Sequence, residues 1–225
     1  MSLKEAWREA FPAESARKVV TYLLMSWTKT ATRKVPDFTW AVGEPDLTQT
    51  LTDVLRDGSR AEGLSGAWGS EGTSADRDPV TLKKRKGFRT DITYYSDREY
   101  PKILSLTFEW KKLKADGNSR KAYWGPKGMG RFFDVGGYAH DAPFGLMVGI
   151  YESTAQLEHV SALKKAMNMD DAIGFLHYIP GGDGKHLRHP SVEMPGLAEF
   201  DTQHVRQSGG FETFTFSHLF VCFPG

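Results

Sequence analysis

Across residues 103–111 apolar and polar side chains alternate. Leu104, Leu106, Phe108 and Trp110 fall on one side, Ser105, Thr107, Glu109 and Lys111 on the other, with Ile103 leading in. Successive side chains of a strand point to opposite faces, so this stretch predicts a strand with one face in a core. On its other face Glu109 and Lys111 project together. Residues 88–95 predict a second strand, brought back against the first by a turn within 96–101. The unbroken apolar run 144–151 has the length and character of a buried central strand. The aromatic-rich segment 211–223 closes the chain as a further strand, and 173–179 is a short strand candidate.

Helical spacing marks the remainder. Residues 3–30 predict a covering helix, opened at Pro12-Ala13-Glu14, with Ala16, Val19, Val20, Leu23, Leu24 and Trp27 as its stripe. A connector over 28–37 follows. Pro45 suits the first position of a second helix, with Asp46 in its first turn and Leu47, Leu51, Val54 and Leu55 as its stripe up to Gly58. Glu44 lies one turn before Leu47 on that stripe, which would turn its carboxylate inward; the plainer alternative is a helix cap. Residues 58–79 read as a long loop with a short strand around 64–68, 131–139 as a glycine-weakened helix, 153–169 as a helix with Leu157, Val160, Leu163, Ala166 and Met167 inside, and 180–207 as irregular. The pattern predicts an α/β fold. The expected organisation is a single domain over 1–225, with a helical cover at 1–37, a core at 38–151 and an extension at 152–225.

Cys222 is the one cysteine, which excludes a disulfide framework within the monomer; the apolar strand around it predicts an inert buried thiol. No apolar run reaches the length that spans a bilayer, so no membrane partner is expected, and the charged start of the chain points to a cytoplasmic protein. The net charge of +1 conceals an asymmetry. Between Lys83 and Arg131 there are fourteen Lys and Arg against five Asp and Glu, whereas the rest of the chain holds fifteen against twenty-three. A positive field of this kind suits a polyanion. The bland alternative for Lys83, Lys84, Arg85 and Lys86 is a solvated loop. The glycines around Gly128-Met129-Gly130 do not form a phosphate loop, because no GxxxxGK[ST] pattern is present. His186 and His189, with His177 and His204 at a distance, lack the context of a metal site and read as loop residues.

Asp91 on one predicted strand, followed by Glu109-Trp110-Lys111 on the next, resembles the motif of the PD-(D/E)xK, or restriction-endonuclease-like, nuclease superfamily. Thr90 stands where the motif has proline, and the likeness covers mainly residues 44–151. The resemblance implies an αβββαβ core with a mixed central sheet flanked by helices, here with an extra N-terminal helix and C-terminal strand. It implies a metal-dependent endonuclease acting on DNA, with Mg²⁺ or Mn²⁺ held by Asp91, Glu109 and the carbonyl of Trp110. Lys111 would orient water or hold the scissile phosphate, and Glu44 would be an additional acid from the first core helix. Lys83, Lys84, Arg85, Lys86, Arg120, Lys121, Lys127 and Arg131 would contact the nucleic acid, and Tyr123 and Trp124 would stack on bases. Such a compact nuclease resembles effectors of prokaryotic restriction or anti-phage defence. A homodimer cutting both strands and a regulatory partner on the acidic ends are further expectations. Two alternatives compete: a nuclease fold without activity that serves as a nucleic-acid-binding scaffold, and a cross-strand salt bridge on a solvated sheet face.

Overall fold

Trp27 shows how the N-terminal helix is seated. Its indole stacks on Trp110 with ring centroids 5.2 Å apart, meets Phe38 and Phe223 edge-on, and donates to the carbonyl of Cys222 at 2.9 Å. Helix α1 (Ala13–Thr32) buries Ala16, Val19, Val20, Leu23 and Trp27 on this side, and α2 (Glu44–Gly58) adds Leu47, Leu51 and Leu55. The computed structural model describes residues 11–70, 91–99, 102–133, 142–152, 156–206 and 211–224. Residues 71–90, with Lys83 to Lys86 among them, therefore lie outside the described residues, as do residues 3–10 of the first predicted helix.

One mixed sheet of seven strands runs in the order β1-β2-β3-β4-β7-β6-β5. The strands are β1 (Ala67–Ser70), β2 (Ile92–Glu99), β3 (Lys102–Lys112), β4 (Phe144–Glu152), β5 (Leu187–Arg188), β6 (Phe200–Val205) and β7 (Thr213–Phe223). β4 lies parallel to both β3 and β7, and the other pairs are antiparallel. Its residues are buried from Phe144 to Tyr151, as the apolar run required. Parallel neighbours need crossovers. The β3-to-β4 crossover carries helix α3 (Gly117–Trp124) and a 3-10 turn at Met129–Phe132; the β4-to-β7 crossover carries α4 (Gln156–Met167) and α5 (Asp170–Leu176).

Strand alternation divides the core in two. Leu104, Leu106, Phe108 and Trp110 of β3, with Leu146, Val148, Ile150, Leu219 and Val221, pack under α1 and α2. Met147, Phe200, Phe214 and Phe216 face the opposite way, against Tyr123, Trp124, Phe132, Leu163, Met167 and Leu176. Thr107, Glu109 and Lys111 are buried beneath this second layer, so the polar face of β3 is not the solvated sheet face of the salt-bridge alternative.

Several expectations are corrected. α1 continues to Thr32 through the stretch expected to be a connector. The short strand expected around 64–68 is β1, shifted to Ala67–Ser70 and placed at the edge of the sheet. β2 extends to Glu99, which pairs with Lys102, so the chain reverses between these two residues, inside the expected window 96–101. A crossover helix not expected from the sequence forms at Gly117–Trp124, capped by Asp116, which accepts from Ser119 N at 2.7 Å; of the helix expected over 131–139, Arg131 and Phe132 belong to the 3-10 turn, and residues 134–139 lie outside the described residues. Residues 173–179 are mostly helix: Asp170 and Asp171 sit in the first turn of α5, where acids favour a helix start, and His177 in the left-handed region ends it. The stretch 180–207 contains β5 and β6. Cys222 is half-buried. No helix among the described residues is long and apolar enough to cross a membrane.

Candidate active site

β3 runs on beyond the start of β2. Their register ends with Ile92 opposite Phe108, so the N–H groups of Trp110 and Lys112 on that side are no longer met by β2. Strand N–H groups need acceptors. Asp91 Oδ2 accepts from Trp110 N at 2.8 Å, and Glu44 Oε1 accepts from Lys112 N at 2.7 Å. Overhang of one strand thus draws in two carboxylates, one from just before β2 and one from the first residue of α2. Alternation then sets Glu109 and Lys111 beside them. Glu44 acts here as a strand-end acceptor, and not as a helix cap.

The Lys111 ammonium lies among three acids. Nζ is 2.6 Å from Glu109 Oε1, 3.6 Å from Glu44 Oε2 and 3.9 Å from Asp91 Oδ2, and it donates to the carbonyl of Trp110 at 2.7 Å. Arg131, from the 3-10 turn, places Nη1 2.9 Å from the same Glu109 Oε1. The turn that delivers it depends on Gly128. A Cβ there would meet the carbonyl oxygens of Tyr123 at 1.9 Å and Ala122 at 2.6 Å, so the chain folds back against the end of α3 only with glycine at that position.

Glu109 is fully buried, and its Oε2 has no hydrogen-bond partner. Burial, with Asp91 nearby, pushes its carboxyl up to about 8 against the pull of Lys111 and Arg131. Burial also raises Asp91, opposed chiefly by Lys111. For Lys111, burial acts downward, but Glu109, Asp91 and Glu44 outweigh it and hold the ammonium above its ordinary value. The cluster therefore sets two firm positive charges beside a carboxyl whose burial favours the protonated form.

The donor set consists of carboxylate and carbonyl oxygens, the ligands a hard divalent cation takes. The unpartnered Oε2 of Glu109 is the kind of atom such an ion would satisfy. Among the described residues no three His, Cys, Asp or Glu side chains stand ready-arranged around a cation position. Lys111 holds the carboxylates' positive partner instead, and the carbonyl of Trp110, expected as a metal oxygen, accepts from that ammonium. A cation taken up by these oxygens would have to displace the ammonium of Lys111 from Glu109.

No family model, curated protein or solved structure matches the chain.

Four expected residues, Glu44, Asp91, Glu109 and Lys111, thus stand together. Of the expected nucleic-acid contacts, Arg120, Lys121, Lys127 and Arg131 lie among the described residues. Arg131 turns inward onto Glu109. Lys121 and Lys127 are exposed, with Lys121 Nζ 5.9 Å from the Trp124 ring centroid, and Arg120 donates to the carbonyl of Ala115 at 2.9 Å. Tyr123 and Trp124 are not stacking platforms: both are buried in the second core layer, because α3 turns its aromatic side toward the sheet.

Four histidines among the described residues, His186, His189, His204 and His218, have partners outside this cluster. His189 pairs with Glu199 at 3.2 Å, and His186 stacks on Tyr178. His204 Nδ1 meets the carbonyl of Leu176 at 2.7 Å, an acceptor only, so that nitrogen carries the proton. The directions then follow along a buried chain: Thr202 donates to His204 Nε2, His218 Nε2 donates to Thr202, and Tyr123 donates to His218 Nδ1. Burial takes His204 down to about 3 and holds His218 well below its ordinary value, so both rings stay neutral. This chain joins α3, β6, β7 and the end of α5.

Two participants were not assigned their places from sequence. Arg131 was counted as an outer phosphate contact. Lys112 was passed over, although it continues the even-numbered apolar series of β3 as a charged residue, a departure visible in the alternation.

Proposed function

We propose that this chain is a divalent-cation-dependent nuclease of the restriction-endonuclease-like kind that hydrolyses phosphodiester bonds of DNA. The observation that carries the reading is the convergence of Glu44, Asp91 and Glu109 on Lys111 at the end of β3. The succession α2, β1, β2, β3, α3, β4, with three antiparallel strands followed by a parallel one, agrees with it. The choice of DNA rests on the basic block between Lys83 and Arg131.

In hydrolysis the oxygen of water forms a new bond to phosphorus, the bond to the leaving oxygen breaks, and the water's proton ends on that oxygen or in solvent. Asp91 and Glu109 would hold Mg²⁺ or Mn²⁺, which supplies Lewis-acid polarisation and a water of lowered pKa. Lys111, held in its charged form, faces the phosphoryl oxygens as a positive charge and not as a base. Arg131 offers a planar guanidinium suited to phosphate oxygens. Glu44 keeps the end of β3 closed and adds negative charge beside the cation.

A second reading, a nuclease fold that binds nucleic acid without cutting it, is favoured by one observation: the ammonium of Lys111 already fills the space among the acids. Supercoiled plasmid incubated with the protein and Mg²⁺ separates the two. Nicked or linear DNA is expected, abolished by EDTA and by Glu109→Gln. Retention of uncut plasmid on the protein with Mg²⁺ and with Mn²⁺ would support the scaffold and remove the enzyme.

A further inference from the structure

Lys112 ends β3 on the side of its apolar residues, where its stem runs beside Trp40 and its ammonium lies 4.9 Å from that ring's centroid. The ammonium donates to the carbonyls of both Trp40 and Val42, in the loop between α1 and α2. Burial pulls its pKa down against the attraction of Glu44, which marks a group held in place at the expense of hydration. The same residue's backbone N–H is the donor to Glu44 Oε1 at 2.7 Å. Val42 and Gly43 lead directly into Glu44, the first residue of α2.

From this geometry we infer that Lys112 is a positioning residue for Glu44: its side chain fixes the loop before α2, and its main chain receives the carboxylate that the loop presents. Glu44 is one of the three acids around Lys111, so Lys112 governs whether the trio closes. The inference rests on the cation-site reading above for its consequence, but not for its geometry. It extends the working motif by one residue, Glu109-Trp110-Lys111-Lys112. The two lysines divide the labour by strand alternation, Lys111 facing the acids and Lys112 facing the loop that delivers one of them.

Lys112→Met keeps the stem and removes the donor; Lys112→Arg keeps a charged donor of similar reach. Two readouts apply to the full chain, with Mn²⁺ as the titrant and amide exchange of residue 112 followed by NMR. Lys112→Met is expected to speed exchange at residue 112 about tenfold, as Glu44→Ala should, with partial return in Lys112→Arg. It is expected to weaken Mn²⁺ binding about tenfold, the scale seen when outer partners of metal ligands are removed. Glu44→Ala should weaken binding to the same degree, and the double variant should be no worse than either single one. Unchanged exchange at residue 112 in Lys112→Met overturns the inference, whatever the metal does. Faster exchange with wild-type Mn²⁺ affinity also overturns it, leaving Lys112 as a loop anchor without influence on the acids. If the wild-type protein binds no Mn²⁺, the nuclease reading fails, and exchange alone decides whether Lys112 places Glu44.

Discussion

Replacing Lys111 with Met is expected to abolish cleavage while tightening the binding of a divalent cation. The two effects have one cause. Lys111 Nζ stands 2.6 to 3.9 Å from carboxylate oxygens of Glu109, Glu44 and Asp91. It stabilises those charges when no ion is bound and repels an ion that enters. Without the ammonium, a proton on Glu109 gains one unit of attraction, whereas a dication gains twice as much, so the balance between them moves toward the metal. Mn²⁺ affinity should rise about tenfold, a change that a charge at this separation supplies easily even at an effective dielectric near that of a protein surface. Cleavage should fall about 10²–10⁴-fold, the usual consequence of losing a charge or proton donor that acts in the transition state. Calorimetric titration with Mn²⁺ and plasmid cleavage by the same preparations check the pair. Affinity that is unchanged or weaker in Lys111→Met contradicts the placement of the ammonium as the ion's competitor.

The second large effect concerns pH and stability. Glu109 is held up to about 8 by burial and by Asp91. Its unfolded value lies near 4.5, so between those limits the folded state binds more protons than the unfolded one. Stability therefore falls as pH rises through this window. His204 and His218, lowered by burial, act in the opposite direction, but their influence ends near the ordinary histidine value. From pH 7 to pH 9 Glu109 dominates over these groups, and the protein should lose about 1–2 kcal/mol of stability. For a chain of this size that is a fall of roughly 3–6 °C in Tm. Glu109→Gln has no proton to lose and should show a flatter profile. Equal slopes for the two proteins from pH 7 to pH 9 would deny Glu109 its raised pKa. Cation binding requires the ionised carboxylate, so metal affinity should rise through the same range in which stability declines.

The acids and β3 were readable in the chain for different reasons. In β3 the alternation is unbroken over the eight residues 104–111, and burial of the apolar face, with Thr107, Glu109 and Lys111 buried on the other, fixes the register. Glu44 was readable because it occupies the apolar stripe of an otherwise regular helix. What the alternation does not tell is that β3 outruns β2, and this overhang brings Glu44 and Asp91 to its N–H groups. Helix α3 was missed because Gly117-Asn118-Ser119-Arg120 carries no apolar stripe; only Asp116 followed by Ser119 marks its start. In α5 the run Ala172-Ile173-Gly174-Phe175-Leu176 looks like a strand, and the two aspartates before it decide otherwise. β6 was missed because Asp201, Thr202, Gln203 and His204 look like loop residues. They are buried because partners elsewhere satisfy them: Asp201 accepts from Ser191 and Ser217 at 2.6 Å and from the N–H of Val192. Long-range polar pairing of this kind leaves no periodic trace. Nor does the chain announce that β7 is an interior strand between β4 and β6, and not a terminal edge.

Diffraction at the manganese absorption edge from crystals soaked in Mn²⁺ bears most directly on the cation site. The expected result is an anomalous peak within bonding distance of carboxylate oxygens of Asp91 and Glu109, with the Lys111 ammonium displaced from Glu109. A map with no peak there at saturating Mn²⁺, and Lys111 still seated on Glu109, would contradict it.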